Sequence, residues 1–415
     1  MKKVRWMLSV MVVTGLITTV LVGCGDDEPP ALKLVSLMAE SIDLNGATSA
    51  TGVPVSANIV ATFNVPIDEA TAASAITLVR QVDSQNFPVT VSVDGEEVTI
   101  NPNSDFSTGT LFILTIGSGL KSDAGKALAN PIERNFTSEG TFAAPGAIAH
   151  WTFEDNAVDI ISGRAPKSGG TVAITYENSR KTEAGKAASF NGTTSIIEYA
   201  NGSQLMNNGS WSMSVWVKAN EHTDDANKGH FVIGLGAYFG FQFEIFDNYN
   251  AFKLAASYTN GTNDFSEDMW ADGTGNLGWQ GWVFSRDFTP VGGMNTVIKN
   301  QWAHYVFVYN ASTRQGIVYL NGERVKEQDF DLWPDGDPKR TTTSLKYRGV
   351  APEVVDELAL GFIQSRDGEL WDAETWGGYG FTSAKHFKGL MDDLIIYHRA
   401  LTATEITAMY NSGKP

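Results

Sequence analysis

The chain reads as an all-β protein built from two β-sandwiches in tandem, a smaller one followed by a larger one. Three observations predict this. Apolar and polar residues alternate with period two in short runs, as in Val89-Thr90-Val91-Ser92-Val93 and Trp211–Ala219. Turn residues such as Asp94-Gly95 and Asn321-Gly322 separate the runs, where an α-rich chain would show long 3.6-residue patterns. The 415 residues hold 42% hydrophobic side chains and a single cysteine, so apolar cores and not disulfides must stabilise the fold.

The first element is a leader. Lys2, Lys3 and Arg5 supply charge, and Trp6–Val22 is a 17-residue run with no ionisable group. A basic head, an apolar middle and a small-residue end follow the order of a secretory signal. The run is marginal for a bilayer span, which needs about 20 residues. Its end, Leu21-Val22-Gly23-Cys24, resembles the lipobox of bacterial lipoproteins. That resemblance implies removal of residues 1–23 and lipidation of Cys24, each buried CH2 then contributing roughly 0.8 kcal/mol to anchoring. An acidic tether with two prolines follows over 24–33. Its Asp26-Asp27-Glu28 run is similar to an export signal of some Gram-negative lipoproteins, which implies an outer-membrane protein facing the cell exterior.

The formal charge is -17, and loss of the three leader cations takes it to -20. Such a surface repels phosphate backbones and anionic headgroups, so nucleic acid is excluded as a partner and membrane contact falls to the lipid.

Residues 34–139 form the smaller sandwich. Ile59-Val60-Ala61-Thr62-Phe63, Val89–Val93, Glu97–Ile100 and Leu111–Ile116 are its clearest strands. The stretches GVPVSANIVATFNVPIDEA (Gly52–Ala70) and FILTIGSGLKSDAGKALA (Phe112–Ala129) resemble the bacterial Ig-like domain. The resemblance implies an Ig-like β-sandwich serving as a spacer. GTFAAPGA at 140–147 is small, uncharged and turn-rich, and reads as a linker.

Residues 148–415 form the larger sandwich. Trp211–Lys218 alternates, with Trp216 interrupting the polar face. Trp302–Tyr309 is a buried strand, and Ile317–Leu320 turns through Asn321-Gly322 into Glu323–Val325. Leu390–Tyr397 is the last strand, and Thr402 with Glu405 has capping-box spacing for a short final helix ending near Gly413. HWTFEDNAVDIISG, GKAASFNGTTSIIEY, SWSMSVWVKA, QWAHYVFVYNASTRQGIVYLNGERV and FKGLMDDLIIYHRALTATEI, in this order, resemble the laminin-G-like, concanavalin A-like jelly roll. Inserts at about 219–300, 326–357 and 364–386 enlarge it. HFVIGLG and FGFQFEIF are expected to add strands, and the rest to form long loops on one rim.

The inserts carry the candidate binding site. Phe231–Phe288 contains 15 aromatics in 58 residues. Trp270, Trp279 and Trp282 lie among Gly, Asp and Asn, as do Trp371, Trp376 and Tyr379 in GELWDAETWGGYGF. A flat ring stacks on the C–H face of a sugar while neighbouring polar groups bond its hydroxyls. These six residues are therefore expected to bind carbohydrate, an oligo- or polysaccharide, with a glycan importer and hydrolases as expected neighbours in the cell. The jelly-roll resemblance implies a structural Ca2+ held by Glu154 and Asp392, where oxygen ligands suit a hard cation.

No catalytic residue is assigned. The Glu-x-Asp-x-Glu run that the resemblance would imply for a glycanase is missing; EVVDELALG has Val355 where Asp is required. There is no HExxH or GxSxG, the six histidines lack metal spacing, and GLKSDAGK has the wrong spacing for a phosphate loop. Two alternatives remain open from sequence: a glycoside hydrolase or lyase with a non-standard carboxylate pair, such as Asp268 with Asp372, and a protein-binding adhesin.

Overall fold

The computed structural model describes residues 28–206, 208–278 and 280–415. The leader, Cys24 and Trp279 lie outside the described residues.

The smaller domain is a sandwich of two five-stranded sheets. Leu34–Ala39, Ile59–Phe63, Glu97–Pro102 and Val89–Asp94 form one, edged by Ile42–Asp43. Ala50–Val53, Ile132–Ser138, Leu111–Ile116, Ile76–Arg80 and Gln85–Asn86 form the other. The predicted alternation has its physical cause here. Ile59, Ala61 and Phe63 from one sheet and Phe112, Leu114 and Ile116 from the other are buried in a single core, while their neighbours are half-exposed. A short helix, Glu69–Ala75, is capped by Asp68, whose side chain accepts from the Ala70 amide.

The larger domain packs two antiparallel sheets face to face. One contains Thr175–Asn178, Lys186–Asn191, Lys388–Tyr397, Trp211–Ala219, Trp302–Asn310, Gln315–Leu320, Glu323–Asp329 and Trp282–Ser285, with Ala147–Trp151 beside Lys388–Tyr397. The other runs Thr171–Val172, Ile196–Ala200, Glu357–Leu360, His230–Leu235, Phe241–Ile245, Phe252–Thr259 and Asp264–Ala271, with Ser344–Leu345 against Phe252–Thr259. Met213, Val215, Tyr305 and Phe307 meet Phe243, Phe252 and Leu254 between them.

The two outer faces differ, and this difference positions the site. The first sheet is covered. Its outer Val306, Val308, Tyr319 and Ile395 pack beneath the final helix, Ala403–Gly413, and beneath Phe142 and Ala144. That explains Trp216, which stacks at 4.8 Å on His304 and 5.8 Å on Tyr410 of the helix. The capping box of Thr402 and Glu405 is present. The segment read as a linker is therefore docked: Phe142 is 5% exposed and its amide donates to Ser412 Oγ at 2.9 Å. Gly109 of the Ig-like domain sits at positive φ with the Phe142 amide where a Cβ would be, so the domains meet through backbone that only glycine permits.

The second sheet's outer face is only half covered. The connection 364–386 lies over Phe231, Ala359 and Ile363 with a small core of its own, built from Phe362, Leu370 and Ala384. The rest of that face stays open. Much of the first insert, expected as rim loops, is sheet: Phe252–Thr259 and Asp264–Ala271 extend it. Asp264–Ala271 buries only Met269 and Ala271 and turns acids outward, so it carries little apolar signal.

Candidate functional site

Strand register sets the floor of the site. Glu244 lies opposite Lys253, and Lys253 opposite Trp270. One row over, Gln242 faces Ala255 and Ala255 faces Asp268. Alternate residues of these strands point away from the core, so Gln242, Glu244, Lys253, Asp268 and Trp270 share the open face. Above it are two lobes of about 510 and 280 Å3, both lined by Tyr238, Gln242 and Lys253.

Aromatic rings wall each lobe. In the larger, Trp270 packs against Phe246 with ring centres 4.3 Å apart, and Trp282 stands across from it. In the smaller, Trp371 and Trp376 lie 4.9 Å apart at 50°, with Tyr238 6.0 Å from Trp371. Four of the six aromatics singled out from sequence thus converge on one cleft, although they come from two segments about 90 residues apart in the chain. The fifth, Tyr379, does not line it. Its hydroxyl donates to the Thr194 carbonyl at 2.6 Å and its ring packs on Phe362 and His386, so it fastens the connection from below. Trp279, the sixth, is among the residues not described.

Charged groups hold this geometry. The connection bearing Trp371 and Trp376 is rooted by Arg366, whose amide and guanidinium bond the fully buried Glu198 at 2.7 and 2.5 Å. Lys253 pairs with Asp268 at 2.9 Å, Lys339 with Glu267 at 2.6 Å and Lys385 with Asp247 at 3.1 Å. Buried Lys326 sets its ammonium 3.2 Å from the Trp282 ring centre, so the protein itself covers one face of that indole. Burial pulls the Lys326 ammonium down to about 8. Tryptophan fluorescence is therefore expected to change through a titration near that pH, as the cation over Trp282 is neutralised. The change should vanish in Lys326→Met and in Trp282→Phe; persistence in either would show that another group is titrating.

Sequence reasoning missed Gln242 and Lys253, and weighed Glu244 only as a catalytic carboxylate with Asp247, on the opposite face of the strand. The signal was present in FGFQFEIF, where Gln242 and Glu244 alternate with Phe241, Phe243 and Ile245. The side chains of Glu244 and Asp268 face one cleft, whereas Asp372 is exposed outside it.

The proposed calcium pair is corrected. Asp392 is buried against Arg180 and accepts from Ser179 Oγ at 2.5 Å, while Arg180 also pairs with Asp393. Glu154 instead accepts the Lys186 amide at 3.2 Å. A guanidinium thus holds the carboxylate that a cation would need, and the two acids serve different partners. Among the described residues no group of three or more His, Cys, Asp or Glu forms a metal-ligand set. The residues present do not fit Ca2+.

Comparison with known proteins gives three results. No curated protein matches the chain. Among solved structures, it is similar to domain 4 of an extracellular arabinanase from Geobacillus stearothermophilus, solved with arabinotriose (20% identity, TM-score 0.38, 64% of this chain and 98% of that one). It is also similar to the botulinum neurotoxin serotype D ligand-binding domain solved with N-acetylneuraminic acid (14%, 0.40, 64% and 50%) and to the binding domain of Paraclostridial Mosquitocidal Protein 1 (12%, 0.42, 64% and 52%). The chain spans about half the length of these last two chains. Residues 42–138 match the family model of the bacterial Ig-like domain.

Proposed function

We propose that this is a lipid-anchored cell-surface protein that binds an oligo- or polysaccharide in the cleft of its larger domain. One observation carries the binding claim: Trp270, Trp282, Trp371 and Trp376 line a single cleft whose floor is polar. Rings offer apolar platforms to a sugar's C–H faces, and Gln242, Glu244, Lys253 and Asp268 lie within the same cleft to bond its hydroxyls. Two aromatic walls on either side of a shared centre suit a chain of sugars better than a single unit. In chain order the Ig-like domain separates the tether from the domain that bears this cleft, and the segment joining the two is docked through Phe142.

Binding of the leaderless chain to a panel of plant, fungal and animal glycans tests the reading. At least one polysaccharide is expected to bind, and the Trp371→Ala/Trp376→Ala protein to lose it. The anchor has its own test. Cys24→Ser is expected to move the protein from the membrane fraction to the soluble one; retention in the membrane would contradict lipidation.

A further inference from the structure

Beside the point where the lobes join lies an acid without an ionic partner. Glu244 is 7% exposed and opens into the smaller lobe. The charges that face it are already matched. Lys253 on the neighbouring strand bonds Asp268, and Lys385 at the end of the overlying connection bonds Asp247. Among the described residues the Glu244 carboxyl has no ion pair, and its hydrogen-bond contact is the Gln242 Nε2 amide at 3.4 Å. Gln242 is 4% exposed, and its Oε1 has no partner among the described residues. Buried polar groups in folded proteins are almost always bonded, so an unpaired buried acceptor at the cleft wall calls for a donor from water or ligand.

This inference rests on the carbohydrate reading and deepens it. We infer that Glu244 and Gln242 together read an uncharged stretch of the sugar chain: the Glu244 carboxyl donates its O–H to one ligand oxygen, and Gln242 Oε1 accepts from an adjacent hydroxyl. The two side chains stand on one strand face and their polar heads meet at 3.4 Å, which suits hydroxyls on neighbouring ring carbons. Burial, supported by Asp268 and Asp247 and opposed by Lys253 and Lys385, raises the Glu244 carboxyl above its ordinary value and favours the neutral donor form. A uronate or sulfate ester here would meet an acid and two ammonium groups engaged elsewhere. A protonated amino sugar would meet Lys253 and Lys385.

The test sorts probes by charge. The leaderless chain is titrated with neutral glycans (arabinan, xylan, mannan, mixed-linkage β-glucan), anionic ones (homogalacturonan, heparin) and cationic chitosan. Binding is expected in the neutral set and to weaken as pH rises and Glu244 ionises. Glu244→Gln, a permanent neutral donor, should flatten the pH profile. Gln242→Leu should lower affinity about tenfold, the loss of one ligand hydrogen bond, without lowering Tm. Tightest binding to a polyanion or to chitosan would overturn the inference while leaving the cleft as a glycan site. So would a Glu244→Gln protein that keeps its fold but loses tenfold or more, or a Gln242→Leu protein that binds normally. Binding that survives Trp371→Ala/Trp376→Ala would instead overturn the platform reading, and absence of binding in all three sets would overturn both.

Discussion

Replacing Arg180 with alanine is expected to destabilise the larger sandwich by about 3–5 kcal/mol, read as a lower midpoint of urea unfolding. The side chain is fully buried and pairs with two adjacent carboxylates, Asp392 and Asp393. Its Nε donates to the Gly413 carbonyl at 2.7 Å and its guanidinium lies 4.5 Å over Trp216, so it also fastens the final helix. Truncation strands both acids, with Ser179, His150 and Thr141 as the remaining side-chain partners. Burial and the charge of Asp393 push the Asp392 carboxyl up. Burial acts to raise Asp393 as well, but the hydrogen bond from His150 and the charge of Arg180 outweigh it and hold that carboxyl well below the usual range. The Asp393 contribution is therefore complete above the ordinary carboxylate pKa and is lost only as pH falls toward strong acid. Adding Asp392→Asn and Asp393→Asn to the Arg180→Ala protein should restore part of the loss by removing the stranded charges. Failure of the single variant to lower the midpoint would show that the network contributes nothing net.

Trp371→Ala/Trp376→Ala should weaken glycan binding by about 2–4 kcal/mol, roughly 30- to 1,000-fold in Kd. The two rings form one wall of the smaller lobe, and Trp376 is 42% exposed in the absence of ligand. Trp376, being that exposed, contributes little to folding, and Trp371 is half-buried against the small core of the connection, so Tm should fall less than affinity does. Isothermal titration with the glycan identified by the panel gives the affinity, and a thermal melt of the same sample gives the fold. A matched fall in both would make the rings packing residues of the connection.

What was legible in the sequence follows from which faces are buried. Ile59–Phe63 and Leu111–Ile116 bury one face and expose the other, so period two is visible. Trp211–Ala219 showed its strand, but Trp216 on the polar face made sense only once the final helix was placed over it. Asp264–Ala271 was obscured because its outer face is the polar floor of the cleft. The tryptophans were recognisable by their company among Gly and Asp, yet their convergence depends on long-range pairing that local pattern does not record. Gln242 was hidden for the opposite reason, being flanked by core Phe241 and Phe243. The calcium expectation failed because Arg180, 212 residues before Asp392, takes the carboxylate.

Indole N–H signals in an NMR titration test the central claim most directly. With tryptophan labelled on its indole nitrogen and each signal assigned by a Trp→Phe variant, the identified glycan is expected to shift Trp270, Trp282, Trp371 and Trp376. Buried Trp151 and Trp211 should stay fixed. Binding that moves none of the four, or moves signals distant from the cleft, would contradict the account.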